Sequence, residues 1–236
     1  MRSVLLCTLD GQLRVEHESY RQHDAASLVK LLIAETLIDQ GLDLNAEVHC
    51  SSLHRTAYSS IMAAFTPNRS LRLSEILSLS IMSSDNPCAD YLLDLAGKPK
   101  VNQRASNLGL LGTQVIAGFR DEQLSRHGGS VTTAWDMATL LAHLHCKRNS
   151  SGYDILWKAM RNNLRQNRIP SLLPDCFPVA HKTGSLQSIA HDAAILEFGP
   201  TTVILVVLTE NEATTVQTNL DIGRYARSVY DCLVTT

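Results

Sequence analysis

The spacing of apolar residues changes twice along this chain, from one in two to one in three or four and back. Residues 3–9 form a short apolar run, Asp10-Gly11 is a turn signal, and over 13–17 Leu13 and Val15 alternate with Arg14 and Glu16, which predicts a β-hairpin. Residues 20–24 are polar and lead into a helix from Ser27 to about Gln40, stopped by Gly41. Helical spacing returns moderately over 51–65 and clearly over 73–82, with a loop around Pro67 between them. Pro87 breaks the pattern and suits the first turn of the next helix, 88–95. A short helix over 102–109 and a long surface loop over 113–129 follow. Thr133-Ala134-Trp135-Asp136 resembles a capping box opening a helix over 137–145, and 153–161 is a further helix.

After Pro170 the two-residue period resumes. Residues 177–183, 189–198 and 202–210 read as three antiparallel strands, and 219–234 as a closing amphipathic helix. Strands at both chain ends predict an α/β (α+β) fold: one antiparallel sheet of about five strands, flanked by helices, with a helical block inserted. The corresponding division is 1–26 plus 168–236 for the sheet and 27–167 for the helical part, forming one compact unit with a cleft between them.

Composition narrows the class. With 44% apolar and 19% charged residues and a formal charge of −2, the 236-residue chain is ordinary for a globular protein and offers no electrostatic ground for a nucleic-acid partner. No apolar run approaches the ~20 residues of a membrane span. The six cysteines are scattered without a C-x-x-C pair, which argues against a disulfide framework or zinc site and for small buried thiols in a reducing compartment. The apolar run over 4–9 is too short for a signal segment, so the chain is expected to be cytoplasmic as it stands, or periplasmic or secreted if a leader has been removed. His143 and His145, two apart, point to different sides of a helix, so no metal site is expected there; His181 and His191 should face neighbouring strands in structural roles. No cofactor is called for, and the oligomeric state stays open.

Against this background one polar pair stands out. Ser27 and Lys30 lie in the apolar stretch Ala25-Ala26-Ser27-Leu28-Val29-Lys30-Leu31-Leu32-Ile33-Ala34, and Ser27 is the one serine standing three residues before any of the six lysines. On a helix, positions three apart share a face, so hydroxyl and ammonium can meet. Burial lowers a lysine's pKa and makes it a base able to take a serine proton, whereas a lysine that snorkels to water does neither. The pair alone allows both readings.

Two further strings decide between them. Ser84-Asp85-Asn86 stands at a helix break and Lys182-Thr183-Gly184 on the first late strand. Alone, the first reads as a capping turn and the second as a strand end. Together with Ser-x-x-Lys, in this order and at these separations, they resemble the class A β-lactamases and penicillin-binding proteins. The similarity extends through Asp85-Asn86-Pro87-Cys88-Ala89-Asp90-Tyr91-Leu92-Leu93 and Thr132-Thr133-Ala134-Trp135-Asp136-Met137-Ala138, and covers nearly the whole chain.

The resemblance implies an acyl-transfer site. Ser27 would attack the carbonyl, and Lys30 would act as base or as a charge beside the hydroxyl. Ser84 would pass a proton to the leaving nitrogen, and Asn86 would orient Lys30 and the substrate amide. Lys182 and Thr183 would bind a substrate carboxylate, Gly184 would let a ligand approach closely, and the backbone N–H groups of Ser27 and Ser185 would form the oxyanion hole. Release of the acyl group needs an activated water. Phe119-Arg120-Asp121-Glu122-Gln123-Leu124-Ser125 resembles the family's Arg-x-Glu-x-x-Leu-Asn, with Glu122 as the water-activating residue, but Leu124 comes one residue early and Ser125 replaces asparagine, so Asp121 remains a substitute. Arg168 falls where some members place an arginine that reaches the carboxylate site; a surface arginine is the other reading. Only 26 residues precede Ser27, so the helix that usually packs on the sheet at the front of this family is expected to be absent.

The expectation is a serine hydrolase acting on a small-molecule β-lactam-type amide. The alternatives are an intracellular acyl hydrolase or transferase on another amide or ester, such as a biosynthetic intermediate, and a penicillin-binding sensor that stays acylated.

Overall fold

A computed structural model describes residues 2–53, 60–119, 129–211 and 215–234. A five-stranded antiparallel sheet is ordered β2-β1-β9-β8-β7, from β1 (Arg2–Thr8), β2 (Leu13–His17), β7 (Val179–Leu186), β8 (Ile189–Phe198) and β9 (Thr201–Thr209). Its first and last strands in sequence, β1 and β9, pair directly, Arg2 opposite Thr209 through Thr8 opposite Val203. Both chain ends thereby build one sheet.

The sheet is covered on both faces. Val203, Leu205 and Val207 of β9 meet Ile222, Ala226 and Val229 of α7 (Thr215–Val234), while Ile204, Val206 and Leu208 join the core shared with the other helices. Burial on both faces explains the consecutive apolar residues 193–196 of β8 and 203–208 of β9, where strict alternation would mark one covered face. The edge strand β2 differs: all five residues are exposed, including Leu13 at 47% and Val15 at 40%, so its alternation marks an edge rather than a buried face.

The inserted part is organised around α1 (Lys30–Asp39), whose residues from Lys30 to Leu37 are all buried. A helix apolar on every side belongs in the centre of its core. Around it stand α2 (Leu73–Met82), α3 (Asn86–Ala96), α4 (Lys98–Asn107), α5 (Ala134–Lys147) and α6 (Tyr153–Arg161). Glu35, inside α1, accepts hydrogen bonds from Arg104, Tyr153 and His143. Burial alone would raise its pKa; those donors outweigh it and bring the carboxyl down to about 2. Thr133 caps α5 by accepting from the Asp136 N–H, as its sequence predicts.

Three expectations change. Of the segment 51–65, residues 54–59 lie outside the described residues, and the described parts carry 3-10 turns at Cys50–Ser52 and Ile61–Ala64 instead of an α-helix. The amides of Cys50 and Ser51 donate across to Arg69 and Pro67 instead of along the chain, and β4 (Glu47–His49) pairs with β5 (Ser70–Arg72). The helix expected over 102–109 starts at Lys98, with Pro99 in its first turn. Of the cysteines only Cys7 and Cys88 are buried; Cys146, Cys176 and Cys232 are exposed, the first and last near the ends of α5 and α7. No described helix is long and apolar enough to cross a membrane.

Candidate active site

The site is built where the turn before α1, the turn before α3 and the edge strand β7 meet. A two-residue strand, β3 (His23–Asp24), pairs with β6 (Val131–Thr132) and delivers the chain into a 3-10 turn, Ala26–Val29, that carries Ser27. Three contacts fix that entry. The Ala25 N–H donates to the Ser130 carbonyl at 2.7 Å, and His191 Nε2 lies 2.8 Å from the Asp24 carbonyl. The Thr209 N–H donates to His191 Nδ1, which leaves the proton on Nε2 to be given to Asp24. Burial pushes the His191 pKa down to about 3, so the ring stays neutral in this role. Ala26 adopts φ +48°, a left-handed conformation that a non-glycine residue holds only under constraint from its surroundings.

That constraint includes Gly184. A Cβ there would stand 3.2 Å from the Ala25 carbonyl oxygen, 3.2 Å from Ala26 Cβ and 3.3 Å from Leu28 Cγ. A close approach at Gly184 is therefore made by the chain's own Ser27 turn. Gly184→Ala should separate β7 from that turn at a cost of about 1–3 kcal/mol. A thermal melt reads the loss, and an unchanged melting temperature would mean the turn yields freely.

Lys30, 1% exposed, crosses toward the turn before α3. Its Nζ donates to the Ser84 carbonyl at 2.6 Å and to Asn86 Oδ1 at 2.7 Å, with Ser84 Oγ and the Asp85 carbonyl both at 3.4 Å. None of these described bonds reaches Ser27; the hydrogen bonds of the lysine go to the Ser-Asp-Asn turn. Burial draws the Lys30 pKa down to about 7, against the opposing pull of Asp85 and Asp90. The lysine is buried, which excludes snorkelling.

Ser84 is also left-handed, φ +60°, and its Oγ accepts from Lys182 Nζ at 2.9 Å while lying 3.4 Å from Lys30 Nζ. One hydroxyl thus stands between two buried ammonium groups. Asp85 supports the turn, accepting from the Cys88 N–H as the cap of α3 and from Ser60 Oγ and the Ile61 N–H. The three letters Ser-Asp-Asn divide into proton-bearing hydroxyl, scaffold and lysine partner.

Lys182 on β7 is fully buried and also donates to its neighbour's carbonyl, Thr183, at 2.8 Å. Burial, and then the nearby Lys30 charge, lower its pKa well below the ordinary lysine value. Arg168 is not a surface residue: at 3% exposure its guanidinium donates to the Gly184 and His191 carbonyls, to Ser185 Oγ and to Asn219 Oδ1. It locks the end of the β7–β8 pair beside Ser185. His181 faces Asp192 across the sheet, Nδ1 to Oδ1 at 3.0 Å. His143 turns to Glu35, and His145 packs edge-on against Trp157.

Glu122 and Asp121 lie outside the described residues. Phe119, just before them, places its ring 4.4 Å from Lys30 Nζ. Phe119, His191 and Asp85 are the contributors that motif reading passed over. Their contacts with Lys30, Asp24 and Ser60 are distant in sequence, although Phe119 and Asp85 stand inside strings that the sequence singles out.

Comparison with known proteins finds relatives of this sequence and fold. β-Lactamase VEB-1 of Pseudomonas aeruginosa is 28% identical over 160 residues, covering 63% of this chain and 53% of that protein. The extended-spectrum β-lactamase PER-1 of the same organism is 29% identical over 160 residues, covering 63% and 51%. The matched stretch spans about half the length of these curated relatives. Among solved structures, a β-lactamase from Sphaerobacter thermophilus superposes with TM-score 0.88 at 21% identity, covering 100% of this chain and 92% of its own. PBP-A superposes with TM-score 0.85 at 21% identity, covering 100% and 91%, and a PBP-A variant is an acyl-enzyme complex with penicillin G. At such identities these structures share the fold. The sequence pattern described as the Beta-lactamase enzyme family matches residues 2–233, and the chain belongs to that family.

Proposed function

We propose that this protein is a serine hydrolase that opens β-lactam-type amides through an acyl-enzyme at Ser27. The observation that carries the reading is Ser84 Oγ held between Lys182 Nζ at 2.9 Å and Lys30 Nζ at 3.4 Å, a hydroxyl placed to relay a proton. Lys30, neutral above about pH 7, takes the Ser27 proton as Oγ bonds to the carbonyl carbon. The negative charge that develops on the carbonyl oxygen is held by the N–H groups of Ser27 and Ser185. As the carbon–nitrogen bond breaks, Ser84 gives its proton to the nitrogen and recovers one from Lys30. Lys182 and Thr183 hold the substrate carboxylate, and Asn86 aligns Lys30 and the amide. Arg168, already bonded to Ser185 Oγ, orients the carboxylate end of that site. Glu122 activates the water that releases the acyl group, with Asp121 as its substitute.

Intact mass followed over time after adding a penicillin, alongside turnover of a chromogenic cephalosporin, tests this. Transient acylation with turnover is expected. A persistent adduct would replace hydrolysis by a penicillin-binding role, and no adduct would direct the same residues to a different amide or ester.

A further inference from the structure

Phe119 has no role in acyl transfer as described so far, yet it is fixed against the lysine at the centre of it. Its N–H donates to Asp90 Oδ1 at 2.6 Å, and the preceding Gly118 lies so near that a Cβ there would stand 2.5 Å from the same oxygen. Asp90 is a buried residue of α3, the helix whose first turn supplies Asn86 to Lys30. The ring and the amide acceptor of Lys30 are thus held by one rigid element.

An ammonium group has three protons to place. Two of those on Lys30 go to the Ser84 carbonyl at 2.6 Å and Asn86 Oδ1 at 2.7 Å; the remaining oxygens, Ser84 Oγ and the Asp85 carbonyl, are at 3.4 Å. The Phe119 ring lies over Nζ with its centroid 4.4 Å away. An aromatic face attracts a cation through its quadrupole and has little hold on the neutral amine. We propose that Phe119 is a positioning residue for Lys30, an aromatic acceptor that stabilises its ammonium form and sets the pH above which the amine is free to take the Ser27 proton. The proposal deepens the reading of Lys30 as the base and rests on it.

Other charged or titratable groups also act on Lys30. Asp85 and Asp90 with the Cys88 thiol lie on the α3 side, Arg165 on the segment after α6, and Lys182 on β7. Any test must leave all five unchanged. Incorporating mono-, di- and trifluorinated phenylalanine at position 119 does so, because fluorine removes the negative potential of the ring face while nearly keeping its shape. In protein carrying carbon-13-labelled lysine, the Lys30 signal is assigned by its loss in Lys30→Met, and its titration midpoint is read by NMR.

The expected result is a stepwise fall of that midpoint along the series, reaching about half a unit to one unit with three fluorines. The acid limb of the penicillin acylation rate should move down by the same amount, so that acylation at pH 6 becomes about three- to fivefold faster. An unmoved or rising midpoint overturns the proposal. The titration needs no substrate, so the two readings fail separately: a shifted midpoint without adduct keeps the ring's effect and removes the acyl-enzyme, and an adduct without a shift does the reverse.

Discussion

Ser27→Ala should take up no penicillin: its intact mass is expected to stay constant under conditions in which the unsubstituted protein forms the proposed acyl-enzyme and gains one acyl group. Loss of a nucleophile of this kind lowers turnover by about 10⁶-fold, leaving only what binding and oxyanion stabilisation supply. Stability should hardly change. The Ser27 side chain is half-buried and its hydroxyl makes no hydrogen bond among the described residues, so removing it strands no partner, and a change within about 0.5 kcal/mol is expected. An adduct that survives the substitution would place acylation elsewhere and sink the assignment.

Lys30→Met pairs a large loss of activity with no loss of stability. Without the amine, acylation should fall by at least about 10²–10⁴-fold, the contribution of a positioned base. In the unsubstituted protein, acylation should rise about tenfold per pH unit below pH 7 and level off above it, because the reactive form is the neutral amine and Lys30 titrates at about 7. Stability moves the other way. A lysine whose pKa falls from its ordinary 10.5 to about 7 on folding disfavours the folded state by roughly 5 kcal/mol at pH 7 and below. Between pH 7 and about 10 the unfolded chain binds more protons, so this penalty shrinks as pH rises. Methionine removes it and leaves unpaired the Ser84 carbonyl and Asn86 Oδ1, both on half-buried residues that water can reach. A net gain of about 1–4 kcal/mol at pH 6 is therefore expected in denaturant titrations, narrowing by pH 9. A variant less stable than the parent at pH 6 would mean that the two acceptors outweigh the buried charge.

Much of this architecture is readable in the residues because local chemistry and tertiary environment agree. Residues 73–82, 153–161 and 189–198 coincide with α2, α6 and β8, where the apolar period, the caps and the proline and glycine punctuation point the same way. Agreement fails where backbone partners lie across the chain, as at Cys50 and Ser51, whose amides bond to the Arg69 and Pro67 carbonyls. It also fails at β2, where alternation cannot distinguish an edge strand from one with a covered face.

The same division runs through the site. Ser-x-x-Lys, Ser-Asp-Asn and Lys-Thr-Gly name its polar groups, since few other arrangements bring these residue types together in this order. Sequence by itself determined which groups are present, the helical and strand elements that carry them and the family that uses them. Only the tertiary structure decided where Lys30 points, that Gly184 makes room for the Ser27 turn, that Arg168 is buried against the end of β7, and that Phe119 covers the lysine. The reason is physical: hydrogen-bond direction, desolvation and close contact are properties of residue pairs separated along the chain, from 16 positions for Arg168 with Gly184 to 167 for Asp24 with His191, and no local pattern encodes them.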